Sequence, residues 1–234
     1  MGTPLYNVSV DCLYCESSFE SLKVKTSKVV KQNQDSDFCT YYKGENPFFY
    51  EVFVCPNCGF SFTKNFSTKL KDEQKQAFKP LASKWYKRHK YSMARCIGPA
   101  IEAYKLAFIS AQTIEEHDLV LAGLSLRLAW FFRYKNDGAQ EYKFLRTAKK
   151  YYKQAYENGK LSGYEQPEVY IIYLIGELSA RTGKNHDAIR WFSKVTEHKE
   201  RSLHQSIEKK ARERWNEVKE KVKKEEQSDG QSVS

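Results

Sequence analysis

Two kinds of apolar spacing divide the chain. From the start to about residue 66, β-branched and aromatic residues come in short runs, FESLKVKTSKVVK and FFYEVFVC among them, with the turn-forming KGENP between. Such runs predict strands joined by turns. From about Lys69 onward apolar positions recur at helical spacing, in segments dense in Ala, Leu, Lys, Glu and aromatics. Breaks fall near Pro80, Gly98-Pro99, Asn136-Asp137-Gly138, Gly159 to Pro167 and Gly183, so the second region reads as a series of helices. The boundary is expected between 66 and 72, giving a module at 1–68 and a helical domain at 69–225. The final EQSDGQSVS, 226–234, is apolar only at Val233 and reads as a disordered tail.

One helical spacing recurs. Ala100, Tyr104 and Ala107 are matched by Ala148, Tyr152 and Ala155, and again by Ala188, Phe192 and Val195. Each set places a small residue, an aromatic four later and a small or branched residue three after that. These positions share one helix face, where small residues admit a neighbouring helix and the aromatic fills the gap. Gly176 stands twelve residues before Ala188, as in a tetratricopeptide repeat, where it would pack against that alanine. The sets start 48 and 40 residues apart, wider than the roughly 34 of a regular array, so insertions are expected between units. The alternative is a helical-hairpin bundle without repeat ancestry. The expected fold class is therefore α+β: a small β-rich, zinc-ribbon-like N-terminal module followed by an all-α, tetratricopeptide-like helical-hairpin domain. The segment IEKKARERWNEVKEKVKKEE closes it as a charged, solvated helix.

Composition agrees with a packed, helix-rich protein: 41% of residues are hydrophobic and 15% aromatic, which is enough for a core and argues against disorder. The strongly apolar run VYIIYLIG, 169–176, is far shorter than the ~20 residues a membrane span requires, so none is expected. MGTPLYNVSVDC carries no secretory pattern, and a cytoplasmic location is expected. The net charge of +10 lies in the second region: residues 1–75 balance, whereas 76–234 carry the whole surplus.

The chemistry concentrates in two Cys-x-x-Cys pairs, DCLYC and VCPNC. Thiolates at Cys12, Cys15, Cys55 and Cys58 fit a tetrahedral zinc ion, with each pair supplying one edge. Pro56 and Gly59 support a turn at the second pair, Gly59 by tolerating positive φ, and backbone N–H groups can then point at the sulfurs. The first pair lacks both residues. Between Cys15 and Cys55 lie 39 residues, more than the ~15–20 of a compact ribbon, so an inserted strand pair is expected. Four thiolates close the coordination shell, which makes the expected Zn2+ structural. Iron has the same donor preference, and a metal-free redox dithiol is a further alternative. The latter fits poorly because CPNCGFSFTKNF does not open a helix. Cys39 reads either as a buried bystander or as an auxiliary ligand, and Cys96 as a packing residue.

DCLYCESSF, SDFCTYYKGENPFFYEVFVCPNCGF, IEAYKLAFISAQ and LSLRLAWFFRY together resemble a family of uncharacterised bacterial proteins of low-GC Gram-positive type, from about Tyr6 to Ser193. The resemblance implies a cysteine-rich module joined to tetratricopeptide-like helices in a cytosolic setting. It implies no activity.

Two surfaces remain as candidates for binding. In a tetratricopeptide-like stack the first helix of each unit lines a concave face, which would place Tyr173, Glu177 and Arg181 in a groove with Arg127 as their counterpart, suited to a protein or peptide carboxylate. The stretches 79–95 and 143–153 are basic without an acid and interleave aromatics, with Lys84, Lys87, Arg88, Lys149 and Lys150 as candidate phosphate contacts for nucleic acid. No nucleophile elbow, phosphate loop or zinc-protease motif occurs, so a non-catalytic protein is expected. The sequence is read as a cytosolic zinc-binding scaffold or adaptor. A nucleic-acid-binding protein and a thiol redox protein are the rivals.

Overall fold

The computed structural model of the chain describes residues 3–85, 91–161 and 166–231. Among them the chain is mostly helical, with three small antiparallel strand pairs in its N-terminal region followed by seven α-helices. It separates into two compact units, Met1–Phe144 and Leu145–Ser234. The division falls within α4 (Gly138–Glu157), not at 68/69 as the change of spacing suggested. The reason is packing. The strand pairs do not bury a core of their own and share one with the first helices.

In the first unit, β1 (Leu5–Asp11) pairs with β2 (Ser18–Val24), β3 (Val30–Gln34) with β4 (Thr40–Lys43), and β5 (Phe53–Val54) with β6 (Ser61–Phe62). The middle pair fills the long interval between the cysteine pairs. β5, β6 and a 3-10 turn at Pro47–Tyr50 lie against α2 (Ile97–Thr113), which also packs on α1 (Asp72–Ser83) and α3 (Asp118–Tyr134). Close approach to α2 follows from its alanines: Ala100, Ala103, Ala107 and Ala111 are all fully buried. Tyr104 fills the space beside them, edge-on to Phe131 at 5.0 Å, and its hydroxyl donates to Glu51.

In the second unit, α5 (Glu168–Arg181) packs on α6 (Asn185–Glu197), and α7 (Gln205–Gln231) lies against both. All nine residues of the three small–aromatic–small sets are buried. Gly176 does mark a close helix approach, but its neighbour is an aromatic residue: a Cβ there would stand 2.9 Å from the Phe192 ring, so α6 meets α5 through that ring. The last helix is largely solvated, as its charge suggested, and packs through a narrow apolar stripe. Ala211, Val218 and Val222 are buried along it, and it continues through the expected tail to Gln231, with ion pairs such as Lys221–Glu225 on its surface.

Candidate metal centre

Each cysteine pair sits at the tip of a hairpin, and the two tips are built alike. In the first, Asp11 pairs with Ser18 and the loop runs from Cys12 to Ser17; in the second, Val54 pairs with Ser61 and the loop runs from Cys55 to Phe60. The Cys12 N–H donates to the Ser17 carbonyl and the Glu16 N–H to the Cys12 carbonyl. The Cys55 N–H donates to the Phe60 carbonyl and the Gly59 N–H to the Cys55 carbonyl, which repeats the pattern position for position. Both loops turn through a left-handed residue just after the second cysteine, Glu16 at φ 61° and Gly59 at φ 74°.

These turns aim backbone donors at sulfur. The Cys12 Sγ accepts from the Tyr14 and Cys15 amides, Cys55 Sγ from the Cys58 amide, and Cys58 Sγ from the Phe60 amide. Such donors stabilise thiolate. The four Sγ atoms lie within 4.8 Å of one another, with Cys12–Cys58 and Cys15–Cys55 each at 3.6 Å. A metal bonded to sulfur at ~2.3 Å in a tetrahedron sets its sulfurs ~3.8 Å apart, so the spacing fits such an ion. All six cysteines are free thiols.

Electrostatics points the same way. Hydrogen bonds from Cys12 and then Cys58 hold the Cys55 sulfur far below its ordinary range. The Cys12 thiol is raised, first by its bond to Cys55, and Cys58 is raised by its bonds to Cys12 and then Cys55. The protein alone therefore stabilises one thiolate. Ionising Cys12 and Cys58 as well calls for a cation at the centre, and this donor set suits zinc or iron.

The surroundings fasten the two tips to the helices. Tyr14 of the first loop and Phe60 of the second both pack on Phe78 of α1, at 5.1 and 4.8 Å between ring centroids. Trp85 lies flat on Gly59, where a Cβ would stand 2.3 Å from the indole, and its Nε1 donates to the Pro56 carbonyl. Arg95 is 4% exposed and donates to the carbonyls of Tyr91, Phe49 and Val52, which anchors the chain entering β5. Burial lowers its pKa to about 10. On sequence it looked like one more cation of the basic stretch.

Cys39 is not part of the cluster. It is fully buried beside Tyr134, whose hydroxyl bonds it, and burial pushes its thiol up to about 11. The block around it serves a different purpose. Asp37, fully buried, accepts from Trp130 Nε1 at 3.1 Å and from both terminal nitrogens of Arg133, and Arg133 also pairs with Asp35 and Glu141. This network ties the inserted β3–β4 pair to α3. A buried carboxylate needs such company, because leaving it unpaired costs several kcal/mol, roughly 3–5.

The remaining candidates are placed differently from expectation. Tyr173 and Glu177 are fully buried: Tyr173 lies against the Phe192 ring, and Glu177 accepts from Arg181 at 2.8 Å and Arg214 at 2.7 Å. α6 and α7 both pack on α5, and Tyr173 and Glu177 are buried there and do not line an open groove. Arg181 is spent on Glu177. In the first unit Arg127 stands 4.2 Å from the rings of both Phe48 and Trp130, which touch each other, and it pairs with Glu51. Of the basic candidates, Lys87 and Arg88 lie outside the described residues, Lys84 and Lys150 are exposed, and Lys149 is half-buried and bonded to Thr182. Tyr91 and Tyr152 belong to the core, and Trp85 to the second cysteine loop. Among the described residues no helix is long and apolar enough to cross a membrane.

Fold and site together define a mostly helical protein whose N-terminal hairpins present a four-cysteine cluster suited to a metal ion. The chain belongs to the bacterial family described as "Uncharacterized protein conserved in bacteria (DUF2225)", whose family model matches residues 5–218. That description names bacteria and no narrower group. No curated protein and no solved structure matches the chain.

Proposed function

We propose that the chain is a non-catalytic, cytoplasmic zinc-binding scaffold whose tetratricopeptide-like helical hairpins hold a protein or peptide partner. The observation that carries the metal part is the pair of matched hairpin tips, with four sulfurs inside 4.8 Å and amide donors aimed at three of them. Bound zinc would neutralise the thiolates and cross-link the hairpins. With four protein donors it would keep no position open for substrate, which favours a structural role over catalysis. Structural zinc of this kind contributes on the order of 10 kcal/mol to folding. The tetratricopeptide-like part is supported by the three buried small–aromatic–small stripes and by the close approach at Gly176. Purified without chelator, the full chain is expected to carry about one zinc per molecule by elemental analysis, because four thiolates make one site. It is also expected to lose its cooperative unfolding transition when chelated. A metal-free chain with unchanged unfolding would refute the reading.

Binding of nucleic acid is a second reading, and one observation favours it: Arg146, Lys150 and Lys153 are all exposed and recur along one side of α4. Burial lowers the pKa of Lys149, opposed by Asp187 and assisted by Lys184, Arg146 and Lys153. Affinity for single-stranded RNA at two salt concentrations decides it. A phosphate binder weakens steeply with salt, and affinity that is absent or insensitive to salt removes this alternative.

A further inference from the structure

The four sulfurs are not equally protected. Cys12, Cys55 and Cys58 are 2%, 0% and 7% exposed, whereas Cys15 is open to solvent. Cys55 of the other hairpin stands 3.6 Å from the Cys15 sulfur, and Ser17 Oγ lies 3.1 Å from Cys15 and 3.7 Å from Cys55. The second contact at 3.6 Å, Cys12–Cys58, also runs between hairpins. Oxidation of the cluster therefore has one accessible starting point and a neighbour across the hairpins in reach.

We propose that Cys15 is the site at which a hydroperoxide oxidises the cluster, with Cys55 as the thiol that resolves it. This rests on the metal-binding reading above. The Cys15 thiolate attacks the peroxide, the O–O bond breaks, and a sulfenic acid forms on Cys15 as the alkoxide takes a proton from water. The Cys55 thiolate then attacks the Cys15 sulfur, the S–O bond breaks, and hydroxide leaves and is protonated to water. In total two thiolates lose two electrons, the hydroperoxide is reduced to an alcohol and water, and two protons are consumed. The product is a disulfide that staples the first hairpin to the second. Only Cys12 and Cys58 then remain as donors, one on each hairpin, which is half of a tetrahedral set. Metal is released while the hairpins stay joined, so the cluster acts as a peroxide-triggered metal release.

The test uses the full zinc-loaded chain with Cys96→Ser, which removes the exposed thiol outside the cluster. Hydrogen peroxide is added below one equivalent, zinc is followed with an indicator dye, and remaining thiols are alkylated before peptide mapping. One zinc released per cross-link between Cys15 and Cys55 is expected, with Cys39 still reduced. A cross-link within either loop, or oxidised Cys15 with zinc retained, would overturn the proposal and leave the structural zinc intact. A chain that binds no zinc at all would remove both.

Discussion

The two cysteine loops have the same backbone and different side chains. The Cys55 loop is built as sequence rules prefer: Pro56 opens it, Gly59 takes the left-handed position, and Trp85 covers it. The Cys12 loop reaches the same hydrogen bonds with no proline and with Glu16 at φ 61°, a conformation that costs a side-chain-bearing residue about 1–2 kcal/mol. It is also the open one, since Cys15 is exposed. Of the two tips, one is therefore conformationally relaxed and sealed, and the other strained and accessible. A metal shared between them would hold the strained loop in a geometry it does not favour alone.

The largest effect should come from the sealed loop's sulfurs. Cys58→Ala removes a buried donor and is expected to abolish zinc binding and the first unit's cooperative transition, whereas Cys15→Ala, at the open corner, should lower zinc affinity with part of the fold retained. Elemental analysis and thermal unfolding of both variants measure this, and equal losses would erase the distinction between the loops. Next comes Gly59→Ala, which meets both a positive φ and the Trp85 ring at 2.3 Å. A loss of about 2–4 kcal/mol is expected in denaturant unfolding of the zinc-loaded chain. A loss near zero would mean that Trp85 does not cover the loop.

A smaller change of opposite sign is expected from Glu16→Gly, which relieves the strained position. The unfolding midpoint should rise by roughly 2–4 °C, and a fall would show that the backbone there is not strained. The smallest effect concerns the Glu16–Lys75 ion pair at 2.9 Å. Its hydrogen bond to Lys75 lowers the Glu16 pKa below 4.5, so whatever stability the pair adds is present above pH 4.5 and is lost as pH falls through the folded-state value. The stability difference between wild type and Lys75→Met should therefore be small at pH 6 and vanish in acid. A difference that grows in acid would contradict the assignment.

Much of the site was legible in the residues. Cys-x-x-Cys spacing is a local property, and Pro56 and Gly59 announced the second loop, while the 39-residue interval called for the strand pair that fills it. The matching turn at Glu16 was not legible, because glutamate has no preference for positive φ and is held there by the loop's own hydrogen bonds. The helical stripes were visible for a similar reason: a period of 3.6 is written into consecutive residues, and all nine predicted positions are buried.

What the sequence determined by itself is whatever depends on neighbours along the chain: the helices, their apolar faces, the hairpin turns and the two donor pairs. Tertiary structure alone decided what covers each face. Glu177 looked like a groove residue until α7 brought Arg214 onto it, and Arg95 looked like a surface cation until the distant Phe49 and Val52 carbonyls closed around it. Whether a charge faces water or a partner depends on contacts made tens of residues away, and local spacing carries no record of them. The same holds for the boundary between units, which follows the shared core of hairpins and helices rather than the change of period at residue 69.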